Sequence, residues 1–518
     1  MEPKTTLANG LNEIANFTFT SKYARYSEKY KRRESWKEAI TRVEEMHVEK
    51  YNFLSEEDKQ EIKWAFDLVR DKRAVPSMRS MQFGGPAVTS HNARMFNCSC
   101  RHIDSIRSFA ECFYLLLCGC GVDFGLTKKY LNRLPDLVDA DSKTGTVLTY
   151  AVEDSIEGWA DSLEAQLNSY FKNTAYSGRK IVFDYSKIRR KGAKLKTGGG
   201  KAPGYSGLKN AHIKIKKLFD HVIEKNEKTR IKPIDAYDIL MHCSDAVLSG
   251  GIRRAATSVV FDHDDDEMMN AKTGDWISEN PQRARSNNSV LFLRKKITET
   301  DFKKVLQSAR EFGEPGFIFA DHEDMLSNPC REIGFVPVTK DGRCGVQFCN
   351  LTSINGAKIH SVKEFRDAAK AASIIGTLQA GYTNFHYLSN TSRELTEEEA
   401  LLGVSITGIM DNPKVLLNAK NQKECAQIAV DTNQEWAKKL GINPAARVTC
   451  IKPEGTSSLV LGSASGIHPH HSRKYLRRIQ CNKIDNVYQY FRLFNDKHCE
   501  ESVWSANKTD DVVTFPIE

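Results

Sequence analysis

Ser289-Val290-Leu291-Phe292-Leu293, running on towards Asp301 to Phe312, sets the fold class. The first segment is a short apolar run bounded by polar residues, the pattern of a strand buried on both faces. The second reads as a helix. Upstream, Ser258-Val259-Val260-Phe261 repeats the strand signal. Downstream, Val362 to Phe385 repeats the helix, and Thr396-Glu397-Glu398-Glu399 reads as the cap of another. Strands alternating with helices predict an α/β architecture with a largely parallel sheet. Towards the N-terminus, Ile156, Trp159, Leu163 and Leu167 share one helical face, so Ser155 to Phe171 is predicted helical. Residues 1–75 read as a helical region. In it Ser55-Glu56-Glu57-Asp58 opens a helix through Trp64, Phe66 and Leu68. Thr197 to Gly204, rich in glycine and proline, reads as a loop.

The chain has 518 residues, 40% hydrophobic and 27% charged, which permits a large buried core. It contains no run of about 18 apolar residues, so no membrane span is expected. Met1-Glu2-Pro3-Lys4-Thr5 has no secretory character, and a cytoplasmic location follows as the expectation. The 13 cysteines are scattered and odd in number. Reduced thiols are therefore expected, and any disulfide would be catalytic rather than structural. The net charge of +9 is concentrated in Lys31-Arg32-Arg33, Lys187 to Lys201 and Arg473 to Arg478. No aromatic-interleaved basic stripe accompanies it, so no direct nucleic-acid partner is expected. Such a surface suits anionic nucleotides.

Asn328-Pro329-Cys330-Arg331-Glu332 carries the chemistry. A lone cysteine is usually a small buried filler. Cys330 differs because an amide stands two residues before it and a carboxylate two residues after. On an extended segment Asn328, Cys330 and Glu332 would point to one side. Two more cysteines have distinctive settings: Cys98 in Arg94-Met95-Phe96-Asn97-Cys98-Ser99-Cys100, and Cys349 in Gln347-Phe348-Cys349-Asn350-Leu351-Thr352-Ser353.

Taken in order, these segments and Lys452-Pro453-Glu454-Gly455-Thr456-Ser457-Ser458 resemble the ribonucleotide reductase family. Val75-Pro76-Ser77-Met78-Arg79, Gly250 to Ala256, Arg285 to Val290, Gly313 to Phe317 and Gly403 to Met410 agree with it. The resemblance runs from about residue 20 to the end. It implies a ten-stranded α/β barrel with Cys330 on a finger loop inside, spanning residues 76–518, with an effector-site region around 140–290. It also implies roles. Cys330 would become a thiyl radical and Glu332 would act as general base. Asn328 would hold substrate hydroxyls or Glu332. Cys98 and Cys349 would form the redox-active disulfide. Cys100, two residues from Cys98 on the same strand face, is the rival for the reductant role. Ser77, Asn97, Pro453, Glu454, Gly455, Thr456 and Ser457 would bind substrate, the last five as a phosphate loop at a helix start. An ordinary N-cap explains the same residues.

No metal site is expected. Cys98-x-Cys100 and Cys118-x-Cys120 lack zinc-ligand spacing, and His468, His470 and His471 read as surface or helix-start residues. Ser186 to Ala193 and Lys452 to Thr456 are similar to the adenosylcobalamin-dependent triphosphate reductases. That likeness implies adenosylcobalamin as cofactor, a ribonucleoside triphosphate as substrate, a deoxynucleotide effector and a thioredoxin-like reductant. A partner-dependent large subunit and a non-catalytic nucleotide-binding fragment are the alternatives. Family members continue beyond the equivalent of Glu518, so the barrel is expected to be incomplete, with a separate C-terminal fragment as one source of the rest.

Overall fold

The computed structural model describes residues 10–140, 147–193, 202–225, 230–248, 256–503, 505 and 508–518. The Ser289–Leu293 run is part of the strand Ser286–Leu293, which pairs in parallel with Gly316–Ala320 on one side and Thr257–Asp262 on the other. Thr257–Asp262 continues in parallel to Gly121–Gly125, and that strand to Cys98–His102. Gln347–Cys349 completes the six-stranded sheet, antiparallel to Cys98–His102. Every residue of Cys98–His102 and Gly121–Gly125 is buried, as expected for central strands covered on both faces. Val122 and Phe124 pack into the main core beneath the helices, while Cys98, Cys100 and Cys349 belong to a separate interior cluster on the other face.

The chain bends at the buried Asn350 and continues as Leu351–Asn355 in a second, three-stranded sheet. There it runs parallel to Gly403–Thr407 and antiparallel to Ala74–Val75. Asn350 Nδ2 donates to the Gly376 carbonyl (2.7 Å), and its Oδ1 accepts from Gln379 Nε2 (2.7 Å), so the helix Val362–Ala380 fixes the bend. Val404 bridges onward to Thr449 in parallel. Among the described residues, the expected barrel is thus a curled six-stranded half continued through Asn350 by the second sheet.

The N-terminal helices are Gly10–Lys22, Trp36–Lys50 and Glu56–Arg70. Ser55 caps the last by accepting from Asp58 N (3.1 Å), a contact typically worth about 1 kcal/mol. Ser155 likewise caps Ile156–Tyr170. Two expectations need correction. The helix from Val362 stops at Ala380, short of Phe385, because Tyr51 Oη approaches the chain at Gly381 and donates to the Leu378 carbonyl (2.7 Å). Thr396 to Glu399 ends a helix instead of starting one. That helix is Asn390–Glu399; Thr396 Oγ1 donates back to the Ser392 carbonyl (2.7 Å), and Ala400 closes it with φ 41°. Most of the loop Thr197 to Gly204, and Gly250 to Ala255, lie outside the described residues. Among those described, no helix is long and apolar enough to cross a membrane.

Candidate active site

The finger loop is a small hairpin. Leu326–Ser327 pairs antiparallel with Gly334–Phe335, and residues 328–333 form its tip. The extended segment expected for Asn328 to Glu332 is instead a turn. Arg331 N donates to the Asn328 carbonyl (2.9 Å), and Arg331 takes φ 67°. Asn328 closes the tip: its N–H donates to the Ile333 carbonyl (3.2 Å) and its Oδ1 accepts from Ile333 N (3.1 Å).

An ion pair inside the barrel holds this loop. Asp123, fully buried on the Gly121–Gly125 strand, accepts from Arg331 Nη1 (2.9 Å), from Ser327 N (3.2 Å) and from Ser258 Oγ. Arg331 Nη1 also donates to Ser327 Oγ (2.6 Å). The left-handed backbone at Arg331, uncommon outside glycine, is therefore fixed by its own side chain. Nothing in the motif reading singled out Asp123. Its only signal is a carboxylate in the middle of an otherwise apolar strand.

Cys349 stands directly opposite Cys98 on the antiparallel ladder. Opposed residues there have Cα atoms about 4.5–5.5 Å apart, inside the roughly 4.4–6.8 Å that a disulfide spans. Cys98 lies between Cys330 and Cys349, close enough to each that the thiols perturb one another. Contact with Cys98 pushes the Cys330 thiol well up. Cys330 pulls the Cys98 thiol down, but Cys349 and burial outweigh it and leave it well above its ordinary value. Burial raises Cys349. All three are therefore held as S–H groups, which suits delivery of hydrogen atoms and protons better than attack by a thiolate. Cys100 faces Asp123 and Gln347 and takes no part in this group. Cys98 is thus the one of the two that the geometry joins to Cys330.

Beside the thiols, the Glu332 carboxyl and the Asn328 amide face each other, and neither Glu332 Oε2 nor Asn328 Nδ2 makes a hydrogen bond to any third group. Burial raises the Glu332 carboxyl, against the pull of Asn328 and Lys452. An acceptor and a donor left open at one spot are what a polyhydroxylic ligand would satisfy.

Lys452 and Glu454 connect this site to the phosphate-loop candidate. Lys452, itself buried, has Nζ 3.5 Å from Glu454 Oε2 and 3.4 Å from Ser353 Oγ. Burial would lower its pKa, but Glu454, Cys450, Cys349 and Glu332 outweigh that and raise it. Ser353 Oγ donates to Glu454 Oε1 (2.5 Å), and Ser457 Oγ donates to Glu454 Oε2. The Glu454 and Ser457 side chains are thus bound to one another. Gly455 has open space where a side chain would sit, and Thr456 precedes the short helix Ser457–Leu461 without capping it through its side chain. Ser77 is committed internally: its Oγ donates to the Met95 carbonyl (2.7 Å) and accepts from Ser80 N (3.1 Å). Asn97 Oδ1 accepts from Arg79 N (3.2 Å), so Ser77 and Asn97 staple two segments leading to Cys98. Cys450 lies near Lys452 and Glu332, and burial pushes its thiol up to about 12; the motifs gave no sign of it.

The family model of the B12-dependent ribonucleotide reductase insertion domain matches residues 132–219. The chain is 29% identical over 387 residues to a probable adenosylcobalamin-dependent ribonucleoside-triphosphate reductase of Dictyostelium discoideum, covering 71% of this chain and 48% of that protein. It is 24% identical over 609 residues to the adenosylcobalamin-dependent ribonucleoside-triphosphate reductase of Lactobacillus acidophilus, covering 98% and 79%. The chain therefore spans about half the length of the first relative and about four-fifths of the second. A crystal structure of a B12-dependent (class II) ribonucleotide reductase superposes with a TM-score of 0.79 at 20% identity, covering 98% of this chain and 83% of that one. The chain is thus similar to adenosylcobalamin-dependent ribonucleoside-triphosphate reductases over most of its length, carries a match to their insertion domain, and shares the fold of a class II ribonucleotide reductase.

Proposed function

We propose that this chain reduces ribonucleotides to 2′-deoxyribonucleotides by thiyl-radical chemistry, acting on triphosphates with adenosylcobalamin as radical source. The observation that carries the reading is Cys349 directly opposite Cys98 on the ladder, with Cys330 against Cys98 and the Glu332 carboxyl beside them. Cys330 is exposed whereas Cys98 and Cys349 are buried, which fits a cofactor that meets only the first. When bound, adenosylcobalamin supplies the one-electron oxidising equivalent that makes the Cys330 thiyl radical. The remaining steps belong to the chain's own residues. Cys330 takes the hydrogen atom from C3′, and Glu332 takes the 3′-hydroxyl proton. The 2′-hydroxyl leaves as water with a proton from the thiol pair. Cys98 and Cys349 give up two electrons and two protons in all as their S–S bond forms. Cys330 returns its hydrogen to C3′ and Glu332 its proton to the 3′-oxygen, so both are regenerated. A thioredoxin-like dithiol then reduces the disulfide.

Residues 1–75 would form a helical lead-in and 76–518 the catalytic unit, with a deoxynucleotide effector bound within about 140–290. The 13 free cysteines fit a reducing compartment, and on that ground we place the chain in the cytoplasm.

The test incubates the full chain with adenosylcobalamin, a ribonucleoside triphosphate and a dithiol. Deoxynucleotide should form with the wild type and not with Cys330→Ser, which should still bind nucleotide. Turnover retained by Cys330→Ser would overturn the assignment. Absence of both product and cobalamin cleavage in the wild type would favour a partner-dependent subunit or a binding fragment. After a single turnover without reductant, thiol mapping should find a Cys98–Cys349 disulfide; two free thiols would remove that pair from the mechanism.

A further inference from the structure

We propose that His91, Glu157 and His386 form a site for one divalent transition-metal ion of the zinc class, tying the insertion region to the barrel body. The three residues come from separate parts of the chain. His91 precedes the short turn Asn92–Met95, Glu157 lies in the first turn of Ile156–Tyr170, and His386 follows the helix Val362–Ala380. Glu157 falls within the matched insertion domain, 132–219, and both histidines fall outside it. None of the three belongs to the thiol site, so the proposal stands apart from the reading of that site.

The donors already converge. His91 Nε2 is 2.9 Å and His386 Nε2 is 3.1 Å from the same oxygen, Glu157 Oε1. One ligand atom from each residue lies within 4.8 Å of the others. The rings meet edge to face with centroids 4.8 Å apart, and the His386 side chain is 41% exposed. Entry from solvent and a water as fourth ligand are therefore available.

Hydrogen bonding around His91 supplies an independent argument. Ser90 Oγ donates its only hydrogen to the Pro86 carbonyl (2.7 Å). Its oxygen lies 2.9 Å from His91 Nδ1 and can accept from that ring nitrogen. A ring protonated at Nδ1 and coordinating through Nε2 would present Nε2 to Glu157 Oε1, 2.9 Å away. A metal-binding histidine is commonly fixed in this way, with its other N–H held by an outer oxygen. Two imidazoles and one carboxylate suit zinc, cobalt, nickel or copper better than calcium or magnesium, which prefer all-oxygen sites. With bonds of about 2.0–2.2 Å, tetrahedral donors sit roughly 3.4 Å apart, so the two histidine–glutamate contacts need open by only a few tenths of an ångström, while the histidine nitrogens, within 4.8 Å of each other, can draw together about the ion.

The test uses the full chain, stripped with a chelator and titrated with Zn²⁺ by calorimetry. One ion should bind per chain. His91→Ala and His386→Ala should each weaken binding at least tenfold, and Ser90→Ala roughly tenfold, the scale found for outer partners of metal-bound histidines. Zinc should raise the melting temperature of the wild type and not of the His91→Ala/His386→Ala double variant. Melts of the metal-free proteins serve to establish that the variants fold. Because the chain holds many cysteines, Co²⁺ provides the discriminating probe: d–d bands without thiolate-to-cobalt charge transfer are expected. Charge-transfer bands that survive the double variant would place the ion on cysteines and overturn the proposal. Equal affinity in wild type and double variant would overturn it as well, leaving only a proton between His91 and Glu157.

Discussion

Asp123 and Glu332 are two carboxyls on either side of one finger loop, and burial pushes both up from their ordinary range. They differ in what answers them. Asp123 accepts from Arg331, Ser327 and Ser258; the first two bonds hold the loop to a barrel strand, and the third ties that strand to its neighbour. Glu332 Oε2, at the loop tip, has no hydrogen-bond partner beyond the facing Asn328 amide. A buried acid with every acceptor site used is part of the scaffold, because any change in its charge breaks several bonds at once. A buried acid left open is a group whose proton affinity is free to act on a ligand. The loop thus spends its polar groups at its base and keeps them at its tip, beside the thiol of Cys330.

The largest expected effect breaks the open side of this comparison. Glu332→Gln keeps the size and removes the base, and should cost about 10²–10⁴-fold in turnover while leaving nucleotide binding in place. In the wild type, turnover should rise with pH through a group lying above the ordinary carboxylate range, and the variant should lack that limb. The same substitution should act on stability with the opposite sign. Glu332 binds its proton more tightly folded than unfolded, so wild-type stability falls as pH rises from the unfolded value, about 4.3, through the higher folded one. Glu332→Gln should therefore melt higher than the wild type at neutral pH and lose that advantage below pH 4. A variant that melts lower at neutral pH would show that Oε2 is as well partnered as Asp123.

Breaking the satisfied side should read out first as stability. Asp123→Asn leaves Arg331 beside a neutral amide and disrupts the bonds from Ser327 and Ser258. Removing one partner of a buried pair costs about 3–5 kcal/mol. The lower end applies because the Arg331 side chain is 25% exposed and water can still reach it. Urea unfolding measures this loss. Alkylation of Cys330 should quicken in the same variant, since the turn at Arg331 loses the contact that fixes it. Unchanged stability with lost turnover would instead make Asp123 a participant in the chemistry.

How far the sequence disclosed these features depends on where the partners lie. The strands at Ser258 and Ser289 were readable because burial on both faces leaves a continuous apolar run. Asn328, Cys330 and Glu332 were readable as a group because they are adjacent, although the geometry that gathers them is a turn and not strand alternation. Asp123 was not readable, since it is separated from Arg331 by 208 positions and no local pattern records such a pair. Thr396 misled because a hydroxyl followed by three glutamates has the composition of a helix start; the reversal depends on Ser392 and on the backbone at Ala400. His91, Glu157 and His386 share no local pattern either, being brought together only by the packing of three remote segments.

Gly121 offers the finest probe of the same comparison, because it touches the loop without touching either acid. Its backbone is ordinary strand, so its need for glycine comes from close approach alone. A Cβ there would lie 3.3 Å from the Ala256 carbonyl oxygen, 3.4 Å from Ala256 Cβ and 3.4 Å from Pro329 Cγ. Gly121→Ala must therefore press on a neighbouring strand end or on the loop residue preceding Cys330. Overpacking of this size costs about 1 kcal/mol, the low end for an added methyl group, because a displacement of a few tenths of an ångström relieves it. If Pro329 gives way, Cys330 shifts relative to Cys98 while the Asp123 anchor and the Cys98–Cys349 pairing stay intact. Turnover should then fall severalfold, with an unfolding midpoint close to wild type and an unchanged yield of Cys98–Cys349 disulfide on chemical oxidation. A drop in stability without a drop in turnover would show that Ala256 absorbs the methyl group and that the loop tip is held by its anchor alone.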